Sequence, residues 1–203
     1  MLSSEAILAQ LQFIATRGQP AGTLWHIAVF IALVAIIAGW RPSRRTIAVG
    51  SALPLASVAS VAWIHEDYFN GAVFTVVGLG LALLGRRVPE DSPGRPSRWA
   101  LVLGIAMATL GFIYPHFLQG GSYLWYLYSG PLGVLPCPTL AFAIGVALLA
   151  DGVGSRAWAA LLAVVGLFYG TVGLAKLGVW LDAGLVIGAA GLATHTLTAA
   201  RKA

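Results

Sequence analysis

The sequence predicts an all-α, polytopic bundle of about seven membrane-crossing helices, with the N-terminus outside and the C-terminus in the cytoplasm. Three observations predict it. Charged residues make up 9 % of the chain and AVILMFWYC residues 59 %, against about 25 % charged in soluble domains. A chain of 203 residues with this balance uses the bilayer as its solvent instead of folding around one aqueous core. Apolar runs long enough for a hydrocarbon core of ~30 Å recur from end to end. Finally, ten of the twelve Lys and Arg residues lie in four stretches between or after those runs. They are Arg41, Arg44 and Arg45; Arg86, Arg87, Arg95 and Arg98; Arg156; and Arg201 with Lys202. Cytoplasmic loops attract Lys and Arg, which puts these stretches inside.

The elements follow in order within a single transmembrane domain over 1–203. Residues 1–20 lack the basic start and continuous apolar core of a signal peptide. Ser3 or Ser4 can cap a helix, and Ile7, Leu8, Leu11 and Ile14 recur on one face, so this segment reads as an amphipathic helix lying on the outer leaflet, ended near Gly18 and Pro20. Crossings are then expected over 21–40, 46–64, 70–85, 99–115, 132–150, 157–175 and 179–198. The third is short, and the fifth opens with Pro136 and Pro138. Between the third and fourth, 86–98 carries three prolines and mixed charge, as a cytoplasmic loop does. Residues 116–131 form an outer aromatic loop with Phe117, Tyr123, Trp125, Tyr126 and Tyr128, hinged at Gly120-Gly121 and Gly130-Pro131. Gly166/Gly170 and Gly184/Gly188 have the small-xxx-small spacing that lets helix backbones approach in lipid, and are expected between the last two helices.

With that topology the versatile side chains collect at the outer face. The second crossing ends there in Trp63-Ile64-His65-Glu66-Asp67, the fourth in Tyr114-Pro115-His116, and the fifth begins at Pro136-Cys137-Pro138-Thr139, while Lys176 and Asp182 flank the last outer turn. Proline is favoured in a first helical turn, so Pro138 starting the fifth helix would set Cys137 at or beside its N-cap. Free N–H groups and the helix dipole there favour a thiolate and with it nucleophilicity or metal affinity; the plain alternative is a small buried apolar residue. Cys137, His65 and His116, with Asp67 as a fourth ligand, form a candidate N/N/S/O metal set that would select copper or zinc, and Tyr114, Asp182 and Glu66 are the candidate ligand-binding groups. Lys176 and Asp182 have the simpler option of pairing across the turn. His26 and His195 lie at opposite depths, too far apart to share one haem, and His26 has the option of joining the outer site.

At these same segments the chain resembles an uncharacterised bacterial multi-pass membrane family catalogued as domain of unknown function 6064. The stretches that carry the resemblance are Trp63-Ile64-His65 through Phe69-Asn70, Tyr114-Pro115, Gly133 through Pro136-Cys137-Pro138-Thr139, and Gly170-Thr171-Val172-Gly173 through Asp182-Ala183-Gly184-Leu185. The family's pattern commonly has threonine where Leu140 stands, and the acidic pair Glu66-Asp67 is not typical of it. The resemblance implies a compact helical bundle in a bacterial inner membrane and no particular reaction.

Composition and charge exclude nucleic-acid binding, because no basic stripe with interleaved aromatics is present. The partners expected are the lipid bilayer and a homo-oligomer or larger membrane complex. The function expected is binding of a metal or other ligand at the outer face around the Pro-Cys-Pro helix start. An accessory subunit of a membrane complex and a small-solute transporter are the alternatives. An enzyme, with Cys137 as nucleophile and His65 or His116 as base, ranks last because no local signature supports it.

Overall fold

A computed structural model of the chain describes residues 3–118 and 122–200. Among them every regular element is helical. The expected hinge Gly120-Gly121 and the basic pair Arg201 and Lys202 lie outside the described residues.

Local chemistry starts most of the helices. Ser3 Oγ accepts from Ala6 N and opens α1 (Ser4–Arg17), which closes where Gly18 N reaches back to Ile14 O. Pro20 occupies the first turn of α2 (Gln19–Ile37), where its missing N–H costs nothing. Ser43 caps α3 (Arg44–Gly50), which passes through Ser51 into α4 (Ala52–Ile64). Asp67 accepts from Asn70 N and starts α5 (Tyr68–Arg86). The chain then forms α6 (Arg98–Ile113), a 3-10 turn at Tyr123–Trp125 leading into α7 (Tyr126–Ser129), α8 (Pro136–Leu149), α9 (Arg156–Ala175) and α10 (Asp182–Ala200). Each apolar segment read from the sequence overlaps one of these helices or, for 46–64, the α3–α4 pair. Four stretches, Gln19–Ile37, Arg44–Ile64, Tyr68–Arg86 and Arg156–Ala175, are long and apolar enough to cross a membrane.

The bundle is built around α8, whose residues are buried along its length by α6, α9, α10 and α4. The closest approach is α6 against α8. A Cβ on Gly111 would strike Phe142 N and Pro138 O, and one on Gly145 would strike Ala108 N and Gly104 O. Gly166 and Gly170 seat α10 as expected, against Ala189 and Val186, whereas Gly184 and Gly188 face Leu110 and Met107 of α6. In lipid the gain from such fits is packing, since lipid tails are as apolar as leucine.

One end of the bundle holds the basic loops. Arg44 pairs with Asp91 at 3.6 Å, Arg45 with Glu90, and His195 Nε2 with Asp151 Oδ1 at 3.2 Å. Asp151, Gly152, Val153 and Gly154 all take left-handed φ of 51–69°, a costly run for Asp151 and for β-branched Val153. Gly94 fits against Asp151, Gly152 against His195 and Gly154 against Arg44, so neighbours from three segments hold the turn.

α2 stands apart. Only Gly22 and His26 on it are buried, and Leu24, Phe30, Ile31 and Ile37 are exposed. His26 sets its ring nitrogens 2.8 Å from the Gly22 carbonyl and 2.9 Å from the Phe112 carbonyl, the latter at the open C-terminal end of α6, and a ring with one N–H donates to one of the two. It therefore serves as a tether and does not join the outer cluster. His26→Leu leaves the Phe112 carbonyl without its partner and is expected to cost about 2 kcal/mol in detergent unfolding. His26→Gln, which still offers an N–H, recovers part of the loss. Equal losses in both variants would show that the bond to Phe112 is not the tether.

Candidate functional site

At the end of the bundle away from the basic loops, a cavity of about 390 Å³ lies between α5, α8, α9 and α10, with α1 across it. α1 contributes Ile7, Gln10 and Leu11 to its wall. Ser4 Oγ donates to Lys176 O (2.9 Å), tying the start of α1 to the end of α9.

The start of α8 forms the floor. Its N-cap is Leu135, so the helix begins at Pro136 and not at Pro138 as the sequence suggested; Cys137 sits within the first turn. A helix start deep in protein leaves N–H groups that water cannot reach. Pro136 and Pro138 have no N–H to leave unpaired. Thr139 Oγ1 donates to Leu135 O (2.7 Å) and accepts from Gly133 N (2.8 Å), pinning the preceding turn. The Pro-Cys-Pro-Thr element is thus a way of starting a helix in a dry place. The two prolines thin the N–H array that the sequence places around Cys137. The thiol instead faces the carboxylate of Asp182.

Asp182 is the centre of the site. It is 1 % exposed, and its Oδ1 accepts from the Tyr114 hydroxyl at 2.6 Å. Room for the carboxylate comes from Gly173, where any Cβ would overlap Asp182 Oδ2. Tyr114, itself fully buried at the end of α6 with φ of 24°, stands behind Asp182. The expected Lys176–Asp182 pair is absent: Lys176 is exposed at the cavity rim, while Asp182 turns inward to Tyr114 and Cys137. A second polar chain lines the opposite wall. Tyr169 OH donates to Asn70 Oδ1 (2.6 Å), and Asn70 Nδ2 donates to Asp67 Oδ2 (2.6 Å).

The structure therefore brings together Cys137, Asp182, Tyr114 and Asp67 and leaves out the remaining candidates. Among the described residues no three His, Cys, Asp or Glu side chains group so as to hold a metal ion. Cys137, His65, His116 and Asp67 each turn to a different partner. His65 meets the edge of Phe13 on α1, with ring centroids 5.7 Å apart. His116 packs on Phe117 at 4.3 Å and lines a separate cavity of about 340 Å³ with Gln12, Tyr123 and Tyr126; burial lowers its pKa below the ordinary imidazole value, favouring the neutral ring. Asp67 is occupied as the α5 cap. Glu66 is exposed in a left-handed turn and does not line the cavity.

Sequence reasoning missed Asn70, Tyr169 and Gly173 as members of the site. Asn70, the only asparagine in the chain, carried a usable signal, since an amide inside an apolar run needs partners. Tyr169 and Gly173 carried none that one sequence could reveal. Comparison of the chain with protein-family models, with curated proteins and with solved structures gives no match.

Proposed function

We propose that the chain is a seven-crossing protein of a bacterial inner membrane, N-terminus outside and C-terminus cytoplasmic, whose outward end holds a cavity for a small, largely apolar ligand. The reading rests above all on Asp182, a carboxylate buried in an apolar protein and facing a cavity of about 390 Å³. Ionisable groups inside a membrane protein are expensive and mark functional sites by default. The orientation is supported by Arg44 and Arg45, which lie together at the other end of the bundle. Pockets of this kind, mostly apolar with a few fixed polar groups, suit small organic molecules. The family resemblance drawn from Pro136-Cys137-Pro138-Thr139 belongs to the same proposal and adds no reaction to it.

Thiol labelling tests both halves. In a Cys137→Ser background, Lys176→Cys is expected to react with an impermeant maleimide from outside only, and Arg95→Cys from inside only. With the native cysteine, Cys137 is expected to react with a small uncharged reagent entering through the cavity. Leu11→Trp, which fills the cavity from α1, is expected to slow that reaction about tenfold or more. Reversed sidedness would overturn the orientation; labelling of Cys137 indifferent to Leu11→Trp would overturn the cavity.

A second reading has its own observation. The C-terminal half of α2, from Ile27 to Ile37, buries no residue against its own bundle, as expected of a subunit that offers a helix to a larger membrane complex or to a second copy. Cross-linking at Phe30 or Ile31 in native membranes distinguishes the two readings, since a free-standing binding protein gives only monomer.

A further inference from the structure

We propose that the cavity takes a small organic cation, an ammonium group bearing apolar substituents, with Asp182 as its counter-ion and the aromatic walls as its seat. This rests on the reading of the cavity as a ligand site.

Asp182 has the bonding of a carboxylate waiting for a positive charge. It is 1 % exposed, and the groups facing it, the Tyr114 hydroxyl and the Cys137 thiol, are uncharged donors. The ion pairs Arg44–Asp91 and Arg45–Glu90 and the His195–Asp151 contact lie at the other end of the bundle. A buried charge without a partner is costly, and a partner that arrives with the ligand is rewarded by the same low dielectric. The cavity would therefore discriminate by charge as well as by shape.

Three further observations select an organic cation. Asp67 is a second carboxylate on the same cavity, fixed by Asn70, so an anion would seat between two like charges. Lys176 also lines the cavity, but from its exposed rim. Phe69, Phe117, Phe168 and Tyr169 supply aromatic wall, the surface on which ammonium groups are held by the ring quadrupole. A bare metal ion fits poorly: no cluster of three ligands exists among the described residues, and hard cations need several oxygens at once.

The same ammonium chemistry occurs free in solution and in lipid headgroups. The phosphate beside a headgroup amine would meet Asp67, but both sources remain arms of the test.

The decisive comparison uses benzyltrimethylammonium and neopentylbenzene, which have the same shape with carbon in place of the charged nitrogen. Equilibrium dialysis is carried out against the full-length protein in nanodiscs. Saturable binding of the cation, at least tenfold tighter than the neutral isostere and weakened at least tenfold by Asp182→Asn, is the expected result. Competition by tetramethylammonium assigns a soluble ligand, and competition by phosphocholine lipid alone assigns a headgroup; either carries the proposal. Equal binding of both probes, lost in Leu11→Trp, would leave the cavity reading intact and sink the cation. Binding of neither probe would also sink the cation, and Cys137 labelling with and without Leu11→Trp then decides the cavity separately. The isostere comparison needs no variant, so a failure of Asp182→Asn to fold does not remove the test.

Discussion

Gly111→Ala is expected to be the most damaging single-methyl change in the bundle, costing about 3 kcal/mol or more in reversible unfolding from detergent. The added Cβ would meet Phe142 N and Pro138 O, which are backbone atoms of the most deeply packed helix of the bundle. A side chain can swing away from such a collision, whereas a packed helix must translate as a body. Gly145→Ala, blocked by Ala108 N and Gly104 O from the other direction, is expected to behave alike. Gly50, at the end of α3, has nothing within 4 Å of its Cβ position, so Gly50→Ala should be neutral or stabilising, because alanine is the better helix former by about 1 kcal/mol. A Gly111→Ala protein with unchanged stability would mean that α6 and α8 are not in backbone contact.

The second large effect is expected at Gly173. An alanine there competes for the space of Asp182 Oδ2, so the carboxylate must leave and the Tyr114 hydroxyl loses its 2.6 Å acceptor. We expect a loss of about 3 kcal/mol, from overpacking and from the stranded hydroxyl together, and disappearance of cation binding. Asp182→Asn keeps the volume and an acceptor for Tyr114, so its stability cost should be near 1 kcal/mol while binding falls as sharply. The contact is isolated by a double-mutant cycle: Gly173→Ala should cost much less when Asp182 is already alanine. An equal cost in both backgrounds would place the damage elsewhere.

Much of the fold could be read from the chain because the signals are local. Ser3 caps α1, Gly18 closes it, and basic residues mark one end of successive helices, whereas Asp67, read as a metal ligand, turned out to be the cap of α5. The pairing of Gly166 and Gly170 with α10 was also legible. Gly184 and Gly188 were placed one helix away from their true partner, α6, because spacing reports which residues share a face and not which neighbour the face meets. The site was legible only as one end of the bundle. Cys137, Asp182 and Tyr114 were singled out, yet so were His65 and His116, which reach that end but point to Phe13 and Phe117. Direction is a property of three or four helices together. Pro136 and Pro138 looked like a device for activating the cysteine; with the turn buried, their missing N–H groups matter more than the dipole.

α8 has 14 residues, about 21 Å of helix at 1.5 Å per residue, against a hydrocarbon core of ~30 Å. Since the other helices cover most of it, with Phe142, Val146 and Leu149 only partly buried, α8 has little lipid contact to satisfy and can stop short. In the proposed orientation, with the C-terminal end of α8 level with the basic loops, its Pro-Cys-Pro end would lie roughly 9 Å below the outer boundary, and the floor of the cavity would lie part-way into the electric field of an energised membrane. A monovalent cation held at about one third of that field would gain roughly 0.8 kcal/mol for each 100 mV, negative inside, close to fourfold in affinity. Occupancy of the site would then follow the energetic state of the cell as well as the concentration of the ligand.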